Sequence, residues 1–152
     1  MGLPHLTEDL PGTGGALRTI DDDFSVEEIP AYAPSGQGDH VFAWVEKRGL
    51  TTAMAAEALA AAVGARVRDL GWAGMKDRRA VTRQWFSVPP PATPEQVAAV
   101  ERDGLRVLEV RRHPHKLRTG HVRANRFVLR VRGVDATAAG RARAILLSLI
   151  HI

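Results

Sequence analysis

Cysteine is absent from the 152-residue chain. Disulfide scaffolds, thiolate zinc sites and cysteine nucleophiles are therefore excluded, and a cytoplasmic address fits. No apolar run reaches the roughly 18 residues that a membrane span needs. The N-terminus lacks the basic stretch and apolar core of a signal peptide. Aromatic residues make up only 5% of the chain, too few for an open platform that stacks single strands. Lysine is scarce as well, at three of 21 cations. No Gly-x-Ser-x-Gly occurs, so a serine hydrolase of that type has no support.

What is present suits one globular domain, at 45% hydrophobic and 25% charged residues. Charge is distributed unevenly. Residues 1–46 hold one Arg and nine acids, a net of −8, whereas residues 105–132 hold eight Arg, one Lys and one acid, a net of +8. The basic block favours a phosphate-rich partner through counterion release and arginine–phosphate hydrogen bonding. The competing explanation is a GC-rich genome that writes arginine for every surface cation.

Along the chain, residues 1–15 read as an irregular leader in which Pro11-Gly12-Thr13-Gly14-Gly15 is a turn rather than a phosphate loop. Ala16–Ile20 is a short strand candidate, and Asp21-Asp22-Asp23 turns into a second strand over Phe24–Ile29 with Phe24, Val26 and Glu28 on one face. His40–Glu46 is apolar on both faces, which predicts a central strand. Lys47-Arg48-Gly49-Leu50 reads as a turn. Thr51–Val63 predicts a helix with Ala55, Ala58, Leu59 and Ala62 inward and Gly64 at its end. Gln84–Val88 is a strand stopped by three prolines. Thr93, Pro94 and Gln96 form a capping-box helix start, and that helix is expected to run to about Arg102 before Asp103-Gly104 turns the chain. Leu105–Arg112 and Asn125–Arg132 are strands; in the second, Phe127, Leu129 and Val131 alternate with Arg126, Arg130 and Arg132, predicting one buried and one basic face. A last helix begins near Thr137. The expected fold is α+β, a mixed or mainly antiparallel sheet with helices packed on one face.

The stretch Gly74-Met75-Lys76-Asp77-Arg78-Arg79-Ala80-Val81-Thr82-Arg83-Gln84 places one carboxylate among four cations. Asp77 is a candidate nucleophile or base, and its neighbours can bind phosphates on either side of a nucleotide. The plain alternative is a solvated loop with an incidental Asp. His113-Pro114-His115 with His121 has zinc-ligand character, but Arg111, Arg112, Lys116 and Arg118 repel a cation. Contact with RNA phosphate is the expected use of these histidines.

Three stretches carry a family resemblance: Asp22-Asp23-Phe24-Ser25-Val26-Glu27-Glu28-Ile29 followed by Gly36-Gln37-Gly38-Asp39-His40; Ala73 to Trp85; and His115-Lys116-Leu117-Arg118-Thr119-Gly120 followed by Asn125-Arg126-Phe127. In this order and spacing the chain resembles the TruD-type pseudouridine synthases, which modify uridine 13 of tRNA. The resemblance runs from about Thr13 to Gly133. It implies a catalytic Asp77 that starts cleavage of the C1′–N1 glycosidic bond, with no cofactor and no metal. It implies substrate contacts from Phe24, Asn125, Phe127 and Lys76, with Phe127 alternatively a plain core residue of its strand. Arg78, Arg79, Arg83, Lys116, Arg118 and Arg126 are expected on the RNA backbone. The implied partner is tRNA, with no membrane and no obligatory protein partner.

Members of that family are much longer and carry further strands, an inserted second domain and another substrate-contacting aromatic. Residues 1–146 are accordingly expected to be the N-terminal part of the catalytic domain, inactive alone. Leu147-Ser148-Leu149-Ile150-His151-Ile152 is what CTG TCT CTT ATA CAC ATC encodes, a transposon end used in sequencing libraries. Residues 147–152 are thus expected to be a non-native tail rather than an ordinary apolar helix end. The alternative function is a non-catalytic RNA-binding module using its basic strands. Asp77 separates the two, because a binding module gains nothing from a carboxylate among cations. A metal-dependent hydrolase built on the Asp triplet and the histidines would require bound metal.

Overall fold

The computed structural model describes residues 6–150; the first residues of the leader and the last two of the expected tail lie outside that range. The fold is α+β. Seven strands form one mixed sheet: β1 (Phe24–Pro30), β2 (His40–Arg48), β3 (Gly71–Trp72), β4 (Val81–Val88), β5 (Glu101–Arg102), β6 (Leu105–His113) and β7 (Val122–Leu129). Their order is β5-β6-β2-β4-β1-β7, with β3 beside the far end of β4. All pairings are antiparallel except β1 with β4, which run parallel over Ser25–Glu27 and Val81–Arg83. β2 is central, as its apolar faces predict.

Helix α1 (Thr52–Val63) is capped by the Thr51 hydroxyl, which accepts from the Met54 amide, and ends at Gly64 in the left-handed region at φ 70°. It buries Ala55, Ala56, Leu59 and Ala60 against the sheet, where Val41, Ala43, Val45, Phe86 and Val88 form the main core. The predicted inward face is thus rotated: Ala62 is exposed, and Ala56 and Ala60 take the inner positions.

Helix α2 (Pro94–Ala98) has the predicted capping box but ends four residues earlier than expected. Glu101 and Arg102 instead pair with Arg106 and Leu105 across Asp103-Gly104. Gly104 has φ 76°, and a Cβ there would come within 2.5 Å of the Arg48 carbonyl, so a tight glycine turn captures the segment for the sheet.

Two other expectations fail for physical reasons. Ala16–Ile20 is not a strand; only Ala16 bridges to Arg132, and Arg18 takes a left-handed φ of 53° that breaks any extended run. β7 starts three residues earlier than predicted, and its Phe127 and Leu129 are 53% and 47% exposed rather than buried. They share a face with Phe24 and Val26, at an end of the sheet away from β2, β4 and β6, the strands that α1 and α2 cover. The last helix, α3 (Ala138–Ile150), runs without a break through residue 146.

Candidate active site

The loop carrying Asp77 connects β3 to β4 and folds back over the helix-covered face of the sheet. Its underside is held by buried polar groups from three elements. From β2, the Lys47 ammonium donates to the carbonyls of Leu50 at 2.8 Å and Asp77 at 2.9 Å. From α1, the Thr52 hydroxyl accepts from the Lys76 amide at 2.8 Å and donates to Gln84 Oε1 at 3.0 Å. From β4, Gln84 Nε2 completes the set by donating to the Gly74 carbonyl at 2.8 Å.

Lys76 points inward. Its Nζ lies 2.8 Å from Glu28 Oε2, with the side chains 5% and 1% exposed. Glu28 also occupies a gap in the ladder. The β1–β4 pairing ends at Glu27–Arg83, and the Trp85 amide donates to Glu28 Oε1 at 3.4 Å. Burying this carboxylate is tolerable because both oxygens have partners.

Asp77 itself emerges from the loop with its side chain 46% exposed. Arg18 approaches it across 59 residues of sequence, with Nη1 3.5 Å from Oδ1. The Arg18 guanidinium also lies over the Phe24 ring, 3.8 Å from its centroid. Phe24 in turn packs against Phe127, ring centroids 6.0 Å apart. Asn125 pairs with Glu28 in the register, so it stands on the same face as Phe127, Val26 and Phe24. In the sequence Arg18 is marked only as the single Lys or Arg residue in the acidic stretch 1–46.

Arg18 is fixed by its surroundings. Arg79 donates to its carbonyl at 3.2 Å. Next to it, Asp23 accepts both a 2.7 Å and a 2.8 Å hydrogen bond from Arg132, and Asp22 pairs with Arg48. The Arg132 guanidinium beside Asp23 holds that carboxyl below the usual carboxylate range. The Asp triplet is therefore tied to the segment just after β7 through Arg132 and to β2 through Arg48. Arg132, read from the sequence as part of the basic face of its strand, is engaged in this anchor.

Of the residues expected on the RNA backbone, Arg78 and Arg79 border the Asp77 loop. Arg78 donates to the Gly49 carbonyl at 3.2 Å. Arg83 and Arg126 lie on the opposite face of the sheet from Asp77, where Arg83 sits 2.9 Å from Glu46 and 4.0 Å from Glu27. Lys116 and Arg118 stand in a third place, on the loop before β7, with Lys116 donating to the Arg68 carbonyl at 2.9 Å. The histidines nearby form an aromatic cluster: Tyr32 stacks on His113 at 5.1 Å, and its hydroxyl lies 3.1 Å from His121 Nδ1. Among the described residues no three histidine or carboxylate side chains converge as a metal site, and no helix is long and apolar enough to cross a membrane.

Asp77 thus meets Arg18, and Arg18 lies over Phe24, which packs against Phe127. The family model described as tRNA pseudouridine synthase D (TruD) matches residues 1–151.

This chain belongs to the TruD pseudouridine synthase family.

It is 58% identical over 137 residues to the tRNA pseudouridine synthase D of Anaeromyxobacter dehalogenans strain 2CP-C, covering 90% of this chain and 39% of that protein. It is 54% identical over 142 residues to that of Geobacter sp. strain M21, covering 93% of this chain and 35% of the relative. The fold is similar to the crystal structure of a candidate tRNA pseudouridine synthase D from Methanosarcina mazei, with a TM-score of 0.81, 25% identity, and 97% of this chain matched to 33% of that one. The chain thus spans under half the length of the TruD relatives it matches.

Proposed function

We propose that this chain forms the N-terminal part of the catalytic domain of a cytoplasmic enzyme that converts uridine 13 of tRNA to pseudouridine, with Asp77 as the catalytic carboxylate. The observation that carries this reading is the convergence of Asp77, Arg18, Phe24, Phe127 and Asn125 on one sheet face in a TruD chain. The target uridine leaves its stack to reach the loop. Asp77 initiates cleavage of the C1′–N1 bond; the freed uracil turns, C5 bonds to C1′, the C5 proton is lost and N1 gains one. The half-open Phe127 ring offers the base a stacking surface, and the Asn125 amide can meet the donor and acceptor edge of uracil. Arg18 supplies positive charge beside the carboxylate throughout. The buried Lys76 contributes by holding the loop onto Glu28.

The test is single-turnover pseudouridine formation at saturating enzyme, with wild type and Asp77→Asn in the enzyme of full family length. The substitution keeps side-chain size and removes the charge and the attacking oxygen. The rate is expected to fall by roughly 1000-fold or more, well beyond a lost hydrogen bond. tRNA binding is expected to survive, because no phosphate-binding cation is removed. A variant within about tenfold of wild type would overturn the assignment and favour a binding role.

A further inference from the structure

Two of the chain's three lysines are buried on the same side of the sheet, and their charges are met in different ways. Lys76 has a carboxylate, Glu28. Lys47 is 1% exposed, and its Nζ is ringed by carbonyls: Leu50 at 2.8 Å, Asp77 at 2.9 Å and Lys76 at 3.5 Å. An ammonium has three donors, and three carbonyls face it. Dipoles alone are weaker compensation for a buried cation than a carboxylate. At this position in β2, between Thr82 of β4 and Leu105 of β6, an apolar side chain would serve the core. The sheet's own stability therefore gives no reason for a lysine.

The three carbonyls supply one. Leu50 belongs to the connection between β2 and α1, and Lys76 and Asp77 belong to the loop above it. We propose that Lys47 is a positioning residue for Asp77: its ammonium ties the backbone of Asp77 to the β2–α1 connection and fixes where the carboxylate emerges. The inference rests on the reading of Asp77 as the catalytic carboxylate. Thr52 and Gln84 hold the loop at Lys76 and Gly74, but among these contacts Lys47 alone bonds to Asp77 itself. A carboxylate on an exposed loop keeps its aim only if its own backbone is held, and misplacement by about 1 Å can cost roughly 100-fold in rate.

The experiment uses the enzyme of full family length. Lys47→Met keeps the side-chain length and removes the ammonium. Its single-turnover rate is expected to fall by roughly 30- to 100-fold, while the tRNA dissociation constant stays within about threefold of wild type. Lys47→Cys is made in parallel. It is alkylated in denaturant with 2-bromoethylamine and refolded, which rebuilds an ammonium at nearly the original reach. This segment has no other cysteine to react. The alkylated protein is expected to recover to within about fivefold of wild type, and the unalkylated one to stay slow. If Lys47→Met fails to fold, the alkylated and unalkylated pair decides the question. A single-turnover rate within about threefold of wild type in Lys47→Met, a loss confined to tRNA binding, or no recovery when the ammonium is restored to a folded protein would each overturn the proposal. Asp77→Asn separates the two layers: if it stays active, the assignment of Asp77 fails, and if it is inactive while Lys47→Met is not, only the role of Lys47 fails.

Discussion

Phe86 and Phe127 stand on the same face of one sheet, and one is sealed while the other is half open. Phe86 lies on β4 under α1, fully buried among valines and alanines, with Trp72 6.2 Å away. Phe127 lies two strands over on β7, where its company is Phe24, Asn125 and the approach to Asp77. The strand sequences alternate in the same way. The difference is made by where α1 and α2 lie, over β2, β4 and β6. The candidate site occupies the boundary between these regions. Its supports reach down into the closed half, and its carboxylate, Arg18 and Phe127 face the open end. Rigid support on one side and an uncovered apolar surface on the other are what an aspartate needs to meet a base from outside.

The sharpest way to break this boundary is to remove one member of its buried ion pair. Glu28→Gln would leave the Lys76 ammonium buried without a counter-charge and weaken the contact to the Trp85 amide. The expected cost is about 3–5 kcal/mol, the range for breaking a buried pair from one side. Urea denaturation of the 152-residue chain measures it. A loss below about 1 kcal/mol would mean that water reaches the pair and that the closed half ends short of Glu28.

A smaller effect separates Lys47 from Lys76. Burial is the main cause that brings the Lys47 ammonium down from its ordinary 10.5 to about 8, with Asp77 opposing and Lys76 adding to the shift. The unfolded chain therefore binds this proton more tightly than the folded one. Between about pH 8 and 10.5 the unfolded state holds more protons, so the Lys47 contribution to stability rises with pH across that window. Wild type is expected to gain stability relative to Lys47→Met as pH increases from 8 towards 10. The difference between the two denaturation series cancels the other titrating groups. A flat difference would place Lys47 in contact with solvent.

Much of the closed half was legible in the sequence. The two-sided apolar run of β2, the alanine helix with its Thr51 cap and Gly64 end, and the capping box of α2 are local patterns with local causes. Asp77 among its cations is a weak signal by itself, and the family resemblance over Ala73 to Trp85 is what singles it out. What stayed hidden is pairing at long range. Arg18 meets Asp77 across 59 residues, Lys76 meets Glu28 across 48, and Lys47 lies in what reads as a turn until Arg48 joins β2. No periodicity records such contacts. The alternation in β7 misled for a related reason. It specifies that one face is apolar, and says nothing about whether a helix covers that face. Arg132 likewise reads as one more exposed cation, although Asp23 holds it.

The smallest expected effect on stability is the one that most directly separates the two ends of the sheet. Phe127→Ala removes a ring that is 53% exposed and packs against Phe24. Truncating a sealed phenylalanine such as Phe86 costs about 3–5 kcal/mol through lost burial and the cavity left behind. At Phe127 most of that burial was never gained, and no closed cavity can form, so the cost is expected to stay below about 1 kcal/mol. Function should respond in the opposite order. If the ring stacks on the flipped uracil, its loss removes a contact worth about 1–3 kcal/mol, and single-turnover pseudouridine formation in the full-length enzyme should fall by about 10- to 100-fold. Denaturation of the chain and single-turnover rates of the enzyme read the two effects independently. A stability loss near that of Phe86→Ala would make Phe127 a core residue, and the open end would then have to be redrawn with β7 inside it.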